Sequence, residues 1–444
     1  MKIDKGRMRM LEKNNWNENG SEFHVFNSQE ELLYYINRSK KGKWWRVEYG
    51  KFDFEQCVFN FKIIQWVNIF ENNACFKNAQ FKEEVSFSNI KFMQTADFSG
   101  CTFLKYVDFQ NCIFEDEFNP CSFNNIVNFK SAKFKKHVIF WGNHFLKKAN
   151  FSYTKFYNGV DFSESIFYDE VRFHDSIIEN NANFESVEFK GKVNSWNLKC
   201  SKDISFKWAN FREKVNFSEL KVLNGFTDFH GANFEKNAYF YTSNFYKIDL
   251  TKSVIDKGVY FLDAVILNLN RETARIVKHE FIKQNNKIES LKFHSLEMKE
   301  YEKELFGDKT DIKLSFFRFF RDFLSIFKKG DQSNKFIIFI NRISNGFNLL
   351  PFRGVVFTVT ATIFFYLLFI YTIIIENNIE LEYSSDFIGM NFKQVLQFLN
   401  ITDWKYSPFD INYNWAYGIL FLGRIVVSFG IYQTVQAFRK FGSA

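Results

Sequence analysis

The chain has 444 residues and a formal net charge of +8, and its 62 Phe stand against only 3 Pro and 20 Gly. Phenylalanine at this abundance is too costly to leave in water, so most of it must be buried in a repetitive structure. The charge does not indicate a nucleic-acid partner, because 25 basic and 25 acidic residues cancel over residues 54–265 and the excess lies largely beside apolar C-terminal segments.

The chain opens with a polar segment, "MKIDKGRMRMLEKNNWNENG", which lacks the apolar stretch of a secretory signal. Residues 29–38 predict a short helix, and residues 43–54 supply aromatic side chains. We therefore expect residues 1–53 to form an N-terminal cap and the following repeats to lie in the cytoplasm.

Phenylalanine then recurs at alternating steps of five and six residues from Phe76 to Phe261, with Ile178 in place of one Phe and an irregular step of nine residues at 114–123. The pattern is interrupted at 190–205 and near 223–229. Neither a helix of period 3.6 nor a strand of period 2 produces this spacing. Two residues before many of these Phe residues lies a small or β-branched residue, as Ala149 lies before Phe151, and the residue between them is often Asn or Asp. The pattern predicts short extended segments with the small residue and Phe pointing inward, joined by turns into a coil.

The units "ADFSG", "ANFSY", "VDFSE" and "ANFEK" resemble the repeat of the pentapeptide-repeat family, in its Phe-centred, eleven-residue variety. The resemblance implies an all-β fold, a right-handed quadrilateral β-helix, which we place at residues 54–268. It also implies coils of roughly 22 residues, on the order of nine in all. We expect each central Phe in the core, and each adjacent Asn or Asp in the wall, bonding local backbone.

The sequence offers no convincing catalytic or metal-binding motif. Six cysteines show neither a CxxC pair nor ligand spacing to His, and we interpret them as reduced core residues: Cys57, Cys75, Cys101, Cys112, Cys121 and Cys200. His279 and Glu280 begin an HExxH-like stretch in which Lys283 replaces the second His, so we interpret these residues, with His294 and Glu297, as a solvated helix face. We expect no enzyme activity, no metal and no cofactor.

Residues 269–307 predict a helical hairpin joined near Gln284–Lys287, and residues 308–353 predict interfacial amphipathic helices. In "KLSFFRFFRDFLSIFKK", residues 313–329, phenylalanine alternates with basic side chains that would contact lipid phosphates. The predicted interface residues are Arg318, Arg321, Lys328 and Lys329. Membrane lipid is therefore an expected partner.

Residues 354–444 predict a two-span transmembrane module, with spans at 354–375 and 415–438 that are long enough to cross about 30 Å of hydrocarbon. A buried core helix is the alternative for each span. Basic residues flank the outer ends of both spans, whereas acidic residues predominate in the loop between them. The positive-inside rule then places both termini and the β-helix in the cytoplasm, at a bacterial cytoplasmic (inner) membrane.

Polar residues inside the spans are the candidate functional residues. Arg424 lies within the second span, where an unpaired charge would be costly, and other polar residues share its face. The predicted polar stripe comprises Arg424, Ser428, Tyr432 and Gln436 on the second span, with Thr358, Thr362 and Tyr366 on the first. Gly423 and Gly430 would permit close helix packing, and a homo-oligomer would hide the polar groups. The alternative is that Arg424 snorkels or pairs with a loop carboxylate for structural reasons only.

Three functions remain open from the sequence. The first is a non-enzymatic membrane protein whose cytoplasmic β-helix senses or binds a protein partner and whose oligomeric module acts at the membrane, for instance as a pore or depolarising defence effector. A short helix within residues 391–404 gives the element order of two-span cation channels, without their T-x-G-Y-G filter. The second is a passive membrane-anchored scaffold. The third, a DNA-mimicking topoisomerase binder, would need an acidic rod, and this rod is balanced.

Overall fold

A computed structural model describes residues 25–39, 52–64, 66–306, 338, 340–342, 344, 346–347, 350–377, 394–400 and 415–439. The chain divides into two compact units between Thr273 and Ala274. The helices are α1 at Gln29–Ser39, α2 at Arg271–Lys283, α3 at Lys287–Phe306, α4 at Pro351–Asn377, α5 at 394–399 and α6 at Trp415–Arg439.

The first unit is a parallel β-solenoid of about 10 turns, close to the nine coils expected. Its strands are mostly two residues long, and each pairs with the equivalent strand of the next coil, typically 22 residues further along the chain. Within a coil the chain visits four faces in turn. The predicted fold class is therefore confirmed.

Two of the faces consist of separate parallel ladders. The first face comprises Val25–Phe26, Val58–Phe59, Gln80–Phe81, Thr102–Phe103, His144–Phe145, Ile166–Phe167, Glu188–Phe189, Asn210–Phe211, Asn233–Phe234 and Val254–Ile255. The second comprises Val85–Ser86, Val107–Asp108, Val127–Asn128, Ala149–Asn150, Val171–Arg172, Val193–Asn194, Val215–Asn216, Ala238–Tyr239 and Val259–Tyr260.

The other two faces merge in the last coils, where longer strands run through the corner between them. The third face comprises Ile69–Phe70, Lys91–Phe92, Ile113–Phe114, Lys133–Phe134, Lys155–Phe156, Ile177–Ile178 and Lys199–Cys200. The fourth comprises Phe52–Asp53, Ala74–Cys75, Ala96–Asp97, Phe118–Asn119, Val138–Ile139, Val160–Asp161, Ala182–Asn183 and Ile204–Ser205. The strands that join or extend these faces are Lys221–Asp228, Asn244–Asp249 and Val265–Leu269.

Phenylalanine ladders fill the solenoid from end to end. The ring of Phe140 is fully buried and stacks on that of Phe162, one coil later, at a centroid distance of 4.7 Å. Rings of neighbouring ladders meet edge to face, as Phe151 and Phe162 do at 5.2 Å and 78°. Both arrangements are favoured by the aromatic quadrupole, so the inward Phe positions predicted from the sequence are confirmed as the core.

A left-handed backbone residue explains the eleven-residue period. One turn in every two contains a residue with positive φ, and eleven-residue steps separate most of these positions: Asn78, Asn89, Gly100, Asn111, Ser131, Gly142, Tyr153, Glu164, Asp175, Ser186, Asn197, Trp208 and Glu219. The outward Asn or Asp supports this turn, since the Asn150 Oδ1 accepts a hydrogen bond from the Ser152 amide at 3.1 Å. The predicted wall role of these side chains is thereby confirmed.

Small polar residues inside the solenoid are also satisfied. At two opposite corners of the coil the inward side chain donates its hydroxyl or thiol hydrogen to the backbone carbonyl of a central Phe 25 residues earlier. The donors include Cys101, Cys112, Thr154, Ser165 and Ser176. This bond offsets the cost of burying a polar atom, which is why Ser, Thr and Cys interchange with Ala at this position.

The helices α2 and α3 form the predicted hairpin in the second unit. The Phe281 and Phe293 rings stack at 5.5 Å, and the Glu297 carboxylate accepts hydrogen bonds from Arg275 at 2.9 Å and from Lys278 at 2.6 Å. Burial would by itself raise the pKa of Glu297, but Lys278 and Arg275 outweigh it and hold the pKa below its ordinary value.

The prediction of a solvated face is wrong for two of these residues, because Glu280 and Glu297 are only 3% and 4% exposed. Glu297 holds the two helices together through its bonds to Arg275 and Lys278, and Glu280 pairs with Lys283 at 2.7 Å. Both glutamates therefore help to pack the hairpin and do not form a water-facing surface.

Replacing Phe140 by alanine is expected to reduce the free energy of unfolding by about 3–5 kcal/mol, because a buried stacked ring is lost and a cavity remains. The adjacent Trp141 is 58% exposed, and Trp141→Ala is the matched control, with an expected change below about 0.5 kcal/mol. Urea denaturation followed by circular dichroism measures both. Equal destabilisation by the two substitutions would contradict the stacked core.

The solenoid thiols are expected to differ in reactivity. Burial raises the pKa of Cys200 to about 12 and that of Cys112 further still, so neither forms the reactive thiolate at pH 8. Cys75 is half-buried and is expected to react first with a chromogenic disulfide. The Cys75→Ser variant should lose that fast phase, whereas fast reaction of Cys112 in the folded protein would contradict its burial.

Candidate functional site

The helices α4 and α6 are both long and apolar enough to cross a membrane, with mean hydropathies of 2.2 and 1.5 over their most apolar windows. Only 28% and 33% of those windows is buried within the chain, which is unlike a core helix of a soluble protein. Large apolar side chains cover the outside, as Leu367 and Tyr371 do at 60% and 61% exposure. Trp415, at the start of α6, is 82% exposed, a position typical of membrane-interface tryptophan.

Glycines allow α4 and α6 to pack closely. A methyl group added at Gly430 would lie 2.6 Å from the Thr358 Oγ1, and one added at Gly423 would lie 2.8 Å from the Phe365 Cβ. Gly354 of α4 faces α6 in the same way, at Thr434. Both glycines singled out in the sequence thus lie on the face of α6 that contacts α4.

Three hydroxyls of the predicted stripe are satisfied within their own helices. Thr358 donates to the Gly354 carbonyl and Thr362 to the Thr358 carbonyl, each at 2.7 Å, while Ser428 donates to the Arg424 carbonyl at 2.6 Å. Thr358 and Thr362 are also buried between the helices. Their hydroxyls therefore do not require a second chain, which removes part of the sequence argument for an oligomer.

The structure divides the stripe on α6 into two parts. The Arg424 side chain is only 3% exposed, and it lies nine residues into α6, beside the packed glycine at 423. Tyr432 is 56% exposed, because four-residue steps drift around a helix of 3.6 residues per turn. Tyr432 and Gln436 border a cleft of about 280 Å³ that is also lined by His294 and Met298 of α3.

Two buried glutamines belong to the same region and were missed in the sequence. Gln433 of α6, 6% exposed, donates to the Asn341 Oδ1 at 3.0 Å. Gln394 of α5, 7% exposed, accepts a hydrogen bond from the Tyr366 hydroxyl at 3.0 Å. Gln433 follows the packed Gly430 by three residues and so lies on the same face of the helix, which could have indicated that it is buried. No pattern in the sequence around Gln394 indicates its burial.

Arg318, Arg321, Lys328 and Lys329, and with them the predicted interfacial helix, lie outside the described residues. Their role at a lipid surface stays a prediction, as do the proposed domain boundaries.

One group of possible metal ligands occurs in the first coils of the solenoid. Oxygen or sulfur atoms of Asp53, Glu55 and Cys75 lie within 4.8 Å of one another. Their proximity follows from the fold, because Asp53 pairs with Cys75 across the ladder and accepts a bond from the Glu55 amide at 2.9 Å. Burial and the nearby carboxylates raise the pKa of the Cys75 thiol, which disfavours the thiolate that a metal needs.

The Gly430→Ala substitution is expected to destabilise the helix pair by about 1–3 kcal/mol, because the added methyl group collides with Thr358. Gly418→Ala is the matched control on the same helix, since nothing lies within 4 Å of a methyl group added there. Thermal unfolding of the detergent-solubilised full-length protein, followed by size-exclusion chromatography, measures both. Equal stability of the two variants would mean that the glycine contact does not hold the helices together.

Comparison with known proteins supports the assignment of the repeats. A family model described as pentapeptide repeats (9 copies) matches residues 69–113 and 140–188. No curated protein and no solved structure matches the chain. Both matched segments lie within the solenoid, whose ladders contain the Phe and the small residue of each repeat. The chain therefore contains pentapeptide repeats within its β-solenoid, and two candidate membrane helices follow near the C-terminus.

Proposed function

We propose that this chain is a non-enzymatic integral membrane protein, in which the solenoid binds a cytoplasmic protein partner and the helices α4 and α6 assemble into an oligomeric, ion-conducting module. Three features support the proposal. The solenoid is a structural fold that is typically non-enzymatic, the two helices are long and apolar enough to span a membrane, and a basic side chain is buried within one of them.

The buried position of Arg424 is the observation that carries the proposal. A basic side chain near the middle of a membrane helix is costly, and such residues usually mark an ion or substrate pathway. A passive anchor needs only apolar length, which α4 provides with no charged residue between Arg353 and Glu376. The cost of retaining Arg424 therefore favours an active membrane module over a simple anchor.

Contacts within the second unit offer a route from the hairpin to the module. Glu302 of α3, 7% exposed, forms an ion pair with Arg342, and the adjacent Asn341 accepts the bond from Gln433 of α6. Because Arg342 and Asn341 are adjacent, the partly buried ion pair and the hydrogen bond of Gln433 connect α3 to α6 and oppose their independent movement. We propose that this chain of contacts transmits partner binding from α3 to α6.

The orientation follows from charge. Arg353 lies near the start of α4, and Arg439 and Lys440 lie at and just after the end of α6, whereas Glu376 lies at the other end of α4. The positive-inside rule favours a cytoplasmic location for the basic ends and for the solenoid, in a bacterial inner membrane. Two helices alone enclose no water-filled path, so conduction would require several copies of the chain.

Purified full-length protein in planar bilayers is expected to give discrete currents that Arg424→Leu abolishes or reduces at least tenfold, because the charge in the pathway is lost. Arg424→Lys keeps the charge and is expected to retain part of the current. Ile425→Leu is the matched control, since Ile425 is 52% exposed on the outer surface of the same helix.

Folded, inserted protein that carries no current under any condition would contradict the proposed conduction and favour the membrane-anchored scaffold. Currents that Arg424→Leu leaves unchanged would contradict the role of this residue. The orientation can be checked separately by protease treatment of sealed vesicles.

A further inference from the structure

The short helix α5 packs between the two candidate membrane helices. Its Phe398 side chain is fully buried, with ring centroids 6.1 Å from Tyr366 and 6.2 Å from Phe369 of α4. A methyl group added at Gly423 of α6 would lie 2.9 Å from the Phe398 Cζ. The helix α5 therefore contacts both long helices at once.

These contacts fix how far α5 lies from the ends of the long helices. Phe369 precedes Asn377, the last residue of α4, by eight positions, and Gly423 follows Trp415, the first residue of α6, by eight positions. At 1.5 Å per residue, both contacts lie roughly 12 Å inside the helix ends. They also lie roughly 6–8 Å from the midpoints of the two helices, near residues 364 and 427. Half of the hydrocarbon core is about 15 Å thick, so in a bilayer centred on the helices both contacts lie well inside it.

We propose that α5 is a re-entrant helix, which enters the membrane from the side opposite the solenoid and carries Gln394 and Gln397 close to the middle of the bilayer. The inference rests on the membrane placement in the proposed function, and it identifies α5 as a part of the proposed ion pathway. Non-helical connections at membrane depth are tolerated where they are buried in protein or border a water-filled cavity.

The two glutamines of α5 face different surroundings. Gln394 is buried, and its Oε1 accepts a hydrogen bond from the Tyr366 hydroxyl. This oxygen is therefore satisfied within the chain. Gln397 is exposed on the outer surface of α5. An amide that faced acyl chains at this depth would have no hydrogen-bond partner, which is unfavourable. Gln397 therefore borders water in the assembled oligomer and lines the pathway proposed above.

Nitroxide labels on the full-length protein in lipid vesicles test the depth of α5. The background is Cys75→Ser, because the chain has no cysteine beyond residue 200 and Cys75 is the half-buried native thiol. Labels are placed singly at Leu396→Cys, at Leu367→Cys as the deep control and at Trp415→Cys as the interface control. Collision rates with oxygen and with a nickel chelate give the depth, and Leu396 is expected roughly 10 Å deeper than Trp415.

A Leu396 label as shallow as the Trp415 label would overturn the re-entrant helix. A shallow Leu367 label would instead contradict the membrane placement itself, so the two failures are distinguishable. A label at Gln397→Cys is expected to collide with the nickel chelate at least fivefold more often than the Leu367 label. If the chelate does not reach the label at position 397, the proposal that Gln397 lines a water-filled path is wrong.

Discussion

Stacking of phenylalanine rings between successive coils is the interaction on which the rest of the solenoid depends. Parallel pairing places equivalent residues about 4.8 Å apart, close to the distance at which aromatic rings stack. The stacks persist where the coil length changes: Phe109 and Phe129 remain at 4.9 Å across a coil of 20 residues, and Phe211 and Phe234 remain at 5.0 Å across one of 23. Insertions and deletions are absorbed in the corners because the rings hold the ladders in register.

The two candidate membrane helices, α4 and α6, are packed differently, through small residues and local hydrogen bonds in place of large stacked rings. Thr358 and Ser428 each satisfy their hydroxyl on the preceding turn, so these polar atoms cost little inside the pair. Arg424 and the glutamines at 394 and 433 cannot be satisfied by their own helical turn, and all three are buried. These three buried residues thus depend on tertiary structure, whereas the threonines and the serine depend only on their own helix.

The sequence predicted the solenoid and the extent of the long helices, because both depend on periodic or continuous apolar residues. It did not reveal the left-handed turn residues, since Tyr153 and Trp208 occupy positions where Asn or Gly would be expected. Burial of Glu297 was missed because its partners, Arg275 and Lys278, come from the other helix of the hairpin. The position of α5 depends on contacts of Phe398 with two helices distant in sequence, which no local pattern encodes.

The prevailing coil length of 22 residues has a consequence for how such a protein can change length over generations. Duplication or loss of one whole coil returns the chain to the same face with the same register, and it alters the rod by about 4.8 Å. A change of half a coil keeps the eleven-residue period but rotates the following segments to the opposite face. Gene rearrangements in steps of 66 nucleotides, three for each residue of a coil, therefore adjust the reach of the solenoid without redesigning its core or turning its faces.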